Sequence, residues 1–188
     1  VPALPLGHLP LPADVQTALA PLAEIPYPSV TAMAIGFERS KIGHALNGFG
    51  ALVPAKEKRK ILGVLFSSSL FPGRAPEGKA LLSVFIGGSR QPELADLPDD
   101  QLSQLVLADL RGLLDIAPEA EPDYLKITRW PRAIPQYNVG HQRFLDAIAA
   151  TEQNHHGLHI AGNYAGGVAL GKILINARAH AAQMVQAT

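Results

Sequence analysis

Apolar side chains recur along the chain with two different periods. Over residues 29–37 the larger ones, Met33, Ile35 and Phe37, alternate with small ones, the two-residue period of a strand with one heavily packed face. Residues 48–54 (Gly-Phe-Gly-Ala-Leu-Val-Pro), 61–67 and 80–86 read as three more short strands, divided by turn-rich segments such as Phe71-Pro72-Gly73-Arg74. Together they predict an antiparallel meander, with no turn dipeptide to fix the order of pairing. Residues 124–130 alternate again, with Leu125 and Ile127 on one face and Tyr124, Lys126, Thr128 and Trp130 on the other.

Elsewhere the period lengthens to that of a helix. Asp14 stands where it can cap a short helix through Val15, Leu19 and Leu22, which Pro21 weakens and Pro26-Tyr27-Pro28 ends. Behind Asp99 or Asp100, either a good cap, Leu102, Leu105, Val106, Leu110, Leu113 and Leu114 form one apolar stripe, stopped by Pro118 and Pro122. A further helix is expected over about residues 141–151. The last segment reads as a buried strand at 158–161, a turn Gly162-Asn163-Tyr164-Ala165-Gly166-Gly167, and a helix at 168–186 with Ile173, Leu174, Ala177, Ala181, Met184 and Val185 on its packed face. First-turn amides of such a helix lack internal partners and carry the positive end of its dipole. They favour a phosphate, a carboxylate or an anionic ring edge.

Composition narrows the chemistry. With 188 residues, 47% hydrophobic and 17% charged, the chain is globular, with room for one domain or two small ones. It contains no cysteine, which removes thiol catalysis, iron–sulfur ligation and disulfides and agrees with a reducing cytoplasm. Its formal net charge is zero, so no global field points to nucleic acid or an anionic membrane. Four prolines through Pro12 break the apolar start, which reads as neither a signal peptide nor a membrane span, and as the middle of an element in a truncated chain.

Few residues suggest catalysis on their own. The glycine turn matches neither a Walker loop nor a dinucleotide fingerprint, and a plain strand-to-helix turn remains open beside a ligand-facing helix start. His155, His156 and His159 form an H-H-x-x-H pattern without an adjacent carboxylate, and read as solvated turn histidines and one core-edge histidine. The basic run Lys56-Glu57-Lys58-Arg59-Lys60 reads as a solvated loop, and Ser67-Ser68-Ser69 lacks the partners of a nucleophile. Trp130 is either a packing anchor or a face for a flat ligand. No general acid, base or nucleophile stands out, so an enzyme of this sequence would leave its chemistry to a cofactor.

Taken in order, Gly48-Phe49-Gly50-Ala51-Leu52-Val53-Pro54, Leu62-Gly63-Val64-Leu65-Phe66-Ser67-Ser68 with Phe71-Pro72-Gly73-Arg74, Phe85-Ile86-Gly87-Gly88, Trp130-Pro131 through Ile134-Pro135-Gln136-Tyr137 and Gly140-His141, and Leu158-His159-Ile160-Ala161-Gly162-Asn163 resemble the C-terminal part of protoporphyrinogen oxidases, in the flavin amine oxidase superfamily. The resemblance implies an α+β / α/β fold: part of a mixed-sheet substrate-binding domain (1–128), returning into the C-terminal strand and helix of a Rossmann-type FAD domain (129–188). It implies FAD as cofactor and oxygen-dependent oxidation of protoporphyrinogen or coproporphyrinogen to the porphyrin, with hydrogen peroxide as by-product. Trp130, Gly162, Asn163, Gly167, Val168, Ala169 and Leu170 match the flavin-facing positions, and Phe49, Gly50, Leu52 and Phe85 the wall of the tetrapyrrole cavity. No catalytic residue and no metal ligand is assigned. The partners implied are the porphyrinogen and an N-terminal FAD-binding half outside this chain, with peripheral membrane attachment and homo-oligomerisation both open. Two other readings stay open: a flavin amine oxidase with a different substrate, and a non-catalytic α+β anion-binding remnant.

Overall fold

The computed structural model describes Ala3, Pro5, Leu6 and residues 9–186; the proline-rich start therefore lies partly outside the described residues. In chain order the elements are α1 (Ala13–Leu19), β1 (Val30–Glu38), β2 (Gly50–Leu52), β3 (Ile61–Leu65), α2 (Ser67–Leu70), β4 (Lys79–Gly87), α3 (Asp99–Leu114), β5 (Tyr124–Trp130), α4 (Gln142–Asn154) and α5 (Leu170–Gln186), with short 3-10 turns between them. Among the described residues no helix is long and apolar enough to cross a membrane. The chain forms two compact units, one of residues 28–133 and one of residues 1–27 with 134–188. These boundaries differ from the 1–128 and 129–188 division expected from the sequence. The first 27 residues join the second unit because Val15, Leu19, Leu22 and Ile25 bury themselves against Phe144, Ile148, Ile160 and Tyr164.

The 28–133 unit is built on a five-stranded antiparallel sheet in the order β2-β3-β4-β1-β5. Strands β2, β3 and β4 follow one another as the meander predicts, but β1 leaves that sequence and lies between β4 and β5 in a Greek-key arrangement. Its nine residues have a buried interior on the Met33, Ile35 and Phe37 side, which a two-sided neighbour pair supplies and a sheet edge would not. Every ladder among the described residues of this sheet is antiparallel.

Along β4 the buried residues Ala80, Leu82, Val84 and Ile86 alternate with half-buried ones, so only one face is closed. Helix α3 closes it with Leu102, Val106, Leu107, Leu110 and Leu114, each apolar side chain contributing on the order of 1.5–3 kcal/mol on burial. Leu107 replaces Leu105 in the expected stripe. The predicted cap is displaced as well: Pro98 is the N-cap, and Asp99 and Asp100 sit in the first turn, where their charges favour the helix dipole. Asp14 is likewise inside α1, behind Pro12.

Candidate functional site

Residues 158–161 form no strand, which corrects the expected C-terminal strand. The reason is visible at Ile160, whose N–H donates to Glu152 Oε1 at 2.6 Å instead of to a neighbouring strand. The following turn is packed from beneath by Tyr164, which is fully buried. Gly162 is required by this packing, because a Cβ there would stand 2.2 Å from Tyr164 Cε1. The Tyr164 hydroxyl has no hydrogen-bond partner among the described residues, and burial, helped by the nearby Tyr27 and Glu152, pushes its pKa up to about 12.

Tyr137 ties the turn across its mouth. Its hydroxyl donates to Asn163 O at 2.7 Å and accepts the Gly167 N–H at 2.9 Å, so one amide expected to be open to a ligand has an internal partner. The Tyr137 ring lies on His141 with centroids 4.2 Å apart, and His141 Nε2 donates to Tyr164 O at 2.8 Å. Gly167 has φ +118°, which a side chain adopts only under strain. Asn176 Nδ2 of α5 then donates to Gly166 O at 3.0 Å and fastens the helix to the turn.

Helix α5 starts at Leu170, two residues later than the pattern predicts, and its expected packed face is not packed in this unit. Leu174 is 62% exposed and Met184 43%, while Ile173 and Ala177 border a cavity instead. This 660 Å³ cavity runs between the glycine turn and α5 and is lined by Gly162, Asn163, Ala165 and Gly166 on one side and Ile173, Asn176, Ala177 and His180 on the other. Gly162 and Asn163 thus face it together. Gly167, Val168, Ala169 and Leu170 lead from the turn into α5 without lining it.

The other expected group also comes together. Phe49, Gly50, Leu52 and Phe85 line one apolar pocket of 380 Å³ with Leu62, Gly63, Val64 and Leu65, on the face of the sheet opposite α3. Gly50 has φ +150°, and a Cβ on it would meet Val64 O at 2.2 Å, so the narrow contact between β2 and β3 depends on glycine. Trp130 ends β5 opposite Val30 and is 55% exposed, in the 28–133 unit.

Several other polar residues have structural work. Asp109 Oδ2 accepts the Lys60 and Ile61 amides at 2.6 and 3.0 Å, which anchors the basic loop to α3. Ser67 and Ser83 share a 2.7 Å hydrogen bond, and Ser68 Oγ accepts the Leu81 amide. Sequence reasoning missed one cluster altogether: Glu152, His159 and His180 bring ligating atoms within 4.8 Å of one another. Only the fold supplies the carboxylate that the H-H-x-x-H pattern lacks.

Residues 1–184 match the profile of the flavin containing amine oxidoreductases. The chain belongs to this family. Among curated relatives, it is 41% identical over 156 residues to the mitochondrial protoporphyrinogen oxidase of Nicotiana tabacum, covering 81% of this chain and 31% of the relative. It is 40% identical over 173 residues to protoporphyrinogen oxidase 1, chloroplastic, of Spinacia oleracea (87% and 31%). Coproporphyrinogen III oxidase of Bacillus subtilis is 30% identical over 146 residues (77% and 31%). The chain therefore spans about a third of the length of these relatives. Among solved structures, an Exiguobacterium sp. 255-15 protein provisionally assigned as a protoporphyrinogen oxidase aligns with a TM-score of 0.73 and 22% identity, over 99% of this chain and 40% of that one. Cyclohexylamine oxidase from Brevibacterium oxydans IH-35A gives 0.61 and 18%, over 99% and 42%. At these identities the structures establish the fold, the flavin amine oxidase fold.

Proposed function

We propose that this chain supplies the substrate wall and the C-terminal flavin contacts of an FAD-dependent porphyrinogen oxidase. The observation that carries the proposal is the meeting of Phe49, Gly50, Leu52 and Phe85 around a single apolar pocket, in a chain related to both protoporphyrinogen and coproporphyrinogen oxidases. A tetrapyrrole macrocycle is broad, flat and apolar, and is matched by aromatic and aliphatic walls with a glycine that allows close approach.

The family implies FAD, and the residues around the glycine turn fit it. The 660 Å³ cavity is within the roughly 300–1,000 Å³ of ordinary ligand sites. It is edged by the Asn163 amide and by a turn whose glycines keep side chains out of the way. Gly162 and Asn163 would hold the flavin's polar edge and Gly167 to Leu170 would set the direction of α5, while Trp130, in the 28–133 unit, keeps the flavin-facing role that the family resemblance implies. A bound FAD would supply the redox chemistry, two-electron oxidation of the porphyrinogen with oxygen as the final acceptor and one hydrogen peroxide per electron pair. The protein's own part is to hold both rings and to fix dipoles where charge develops, which needs no titrating side chain in this segment. The exposed Leu170, Leu174 and Ile175 on α5 support docking of an N-terminal FAD-binding half onto this helix.

The test is oxidation by the protein at its natural length, supplied with protoporphyrinogen or coproporphyrinogen in air and followed by porphyrin fluorescence. Porphyrin formation above the autoxidation rate, with peroxide released and the preferred substrate identified by the larger kcat/KM, is the expected result. A flavin-loaded protein that oxidises neither porphyrinogen would overturn the assignment.

A further inference from the structure

We propose that Glu152, His159 and His180 form a binding site for a divalent transition-metal ion, with zinc the best match, that clamps α5 to the segment entering the glycine turn. The three residues come from the end of α4, from the irregular stretch before Gly162 and from the third turn of α5, and their ligating atoms lie within 4.8 Å of one another. The second observation is at His180, whose Nε2 is sealed from solvent and has no hydrogen-bond partner among the described residues. A buried imidazole nitrogen left unpaired costs free energy, and an ion removes that cost by taking its lone pair.

The donor set and its surroundings agree. Two imidazoles and a carboxylate are ligands suited to zinc and its neighbours, whereas calcium or magnesium would call for more oxygens. The Glu152 carboxylate is already oriented, since its Oε1 accepts the Ile160 amide at 2.6 Å, the kind of outer hydrogen bond that steadies a metal ligand. The imidazoles of His159 and His180 stand edge to face at 88°, with centroids 5.4 Å apart, so their nitrogens can converge without stacking. A tetrahedral ion with bonds of about 2.0–2.1 Å would draw the donors to about 3.4 Å, a closure of at most about 1.4 Å from the 4.8 Å limit that side-chain rotation provides. Three protein ligands leave a fourth position for water.

The consequence is mechanical. His180 also lines the 660 Å³ cavity, so an ion at this site fixes one wall of it relative to Gly162 and Asn163. Binding of the metal is independent of flavin and of substrate, and so is its test.

The protein is stripped with a chelator and titrated with Zn²⁺ in competition with a chromophoric chelator, and in parallel with Co²⁺ to read the ligand-field bands. One equivalent bound with micromolar or tighter affinity, tetrahedral-type Co²⁺ absorption, and a raised unfolding midpoint with metal are expected. His180→Ala and His159→Ala, folded by circular dichroism, should weaken binding at least tenfold. Glu152→Gln should weaken it less, and His156→Ala, outside the cluster, should leave it unchanged. Absence of stoichiometric binding to the parent protein, or an affinity in folded His180→Ala and His159→Ala equal to that of the parent protein, overturns the proposal.

Discussion

The hydroxyl of Tyr137 accepts the backbone N–H of Gly167 at 2.9 Å, and through its own proton it also holds Asn163 O at 2.7 Å. A single side chain from the proline-rich stretch after β5 therefore sets the width of the glycine turn from both sides. Tyr137→Phe keeps the ring on His141 and removes only the two hydrogen bonds. We expect a stability loss of about 0.5–1.5 kcal/mol by urea denaturation, since both bonds are solvent-accessible, and a several-fold faster loss of FAD from the protein at its natural length. Unchanged flavin release in a folded Tyr137→Phe variant would remove Tyr137 from the cofactor turn.

Tyr164 presents the opposite case. Its ring fills the core of its unit, but its hydroxyl is buried with no hydrogen-bond partner among the described residues. Tyr164→Phe is expected to be neutral or to stabilise by up to about 1–2 kcal/mol, because it deletes an unmet desolvation cost and retains the packing. A loss of more than about 1 kcal/mol in the unfolding free energy would show that the hydroxyl has a partner in solution.

At the sheet, Lys79 on β4 reaches Glu38 on β1 and Asp123 just before β5, and so joins three strands. The Lys79 hydrogen bond holds the Asp123 carboxyl below the usual carboxylate range, and the Asp123 and Glu38 carboxylates hold the Lys79 ammonium above its usual value. A depressed carboxyl contributes stability that is present above its unfolded pKa of about 4 and lost as pH falls through its lower folded value; the raised lysine contributes stability present below about 10.4 and lost as pH rises through its higher folded value. The network is therefore fully effective between those limits. Asp123→Asn should flatten the acid side of the stability profile, read as urea midpoints at successive pH values. An acid side identical to that of the parent protein would contradict the assignment.

The pocket proposed for the tetrapyrrole depends on Gly50. In Gly50→Ala the new methyl group meets Val64 O and the left-handed φ is strained, so β2 must shift from β3. KM for porphyrinogen should rise at least tenfold with FAD content unchanged. Leu110→Ala, a truncation in the α3 stripe outside that pocket's lining, should instead cost about 2–5 kcal/mol of stability. An unchanged KM in a folded Gly50→Ala protein would exclude the pocket as the substrate wall.

Local patterns were most readable where one element satisfies its own needs. The alternation of Met33, Ile35 and Phe37 and the 3, 4, 7 spacing of Leu102, Val106, Leu110 and Leu114 directly expose the faces they bury. Order in the sheet was not readable, because the place of β1 beside β4 rests on long-range pairing that no turn encodes. The same limit explains residues 158–161: their apolar pattern suits a strand, but the Ile160 amide is taken by Glu152, a side chain that the pattern does not include. Helix α5 carries a legible apolar face that finds no cover within its own unit. At the candidate site, Gly162, Asn163 and the Phe49–Phe85 group were named by motif, whereas Tyr137 and the Glu152, His159 and His180 cluster depend on contacts between segments far apart in the chain.

The most direct test of the central claim is the flavin-to-protein ratio, read from the visible absorption of the protein at its natural length after incubation with FAD and desalting. The account predicts about one FAD per chain in the parent protein, a marked loss in Gly167→Val, where φ +118° admits no side chain without strain, and a smaller loss in Trp130→Ala, with both variants folded by circular dichroism. A colourless parent protein, or full flavin content in both folded variants, would contradict it.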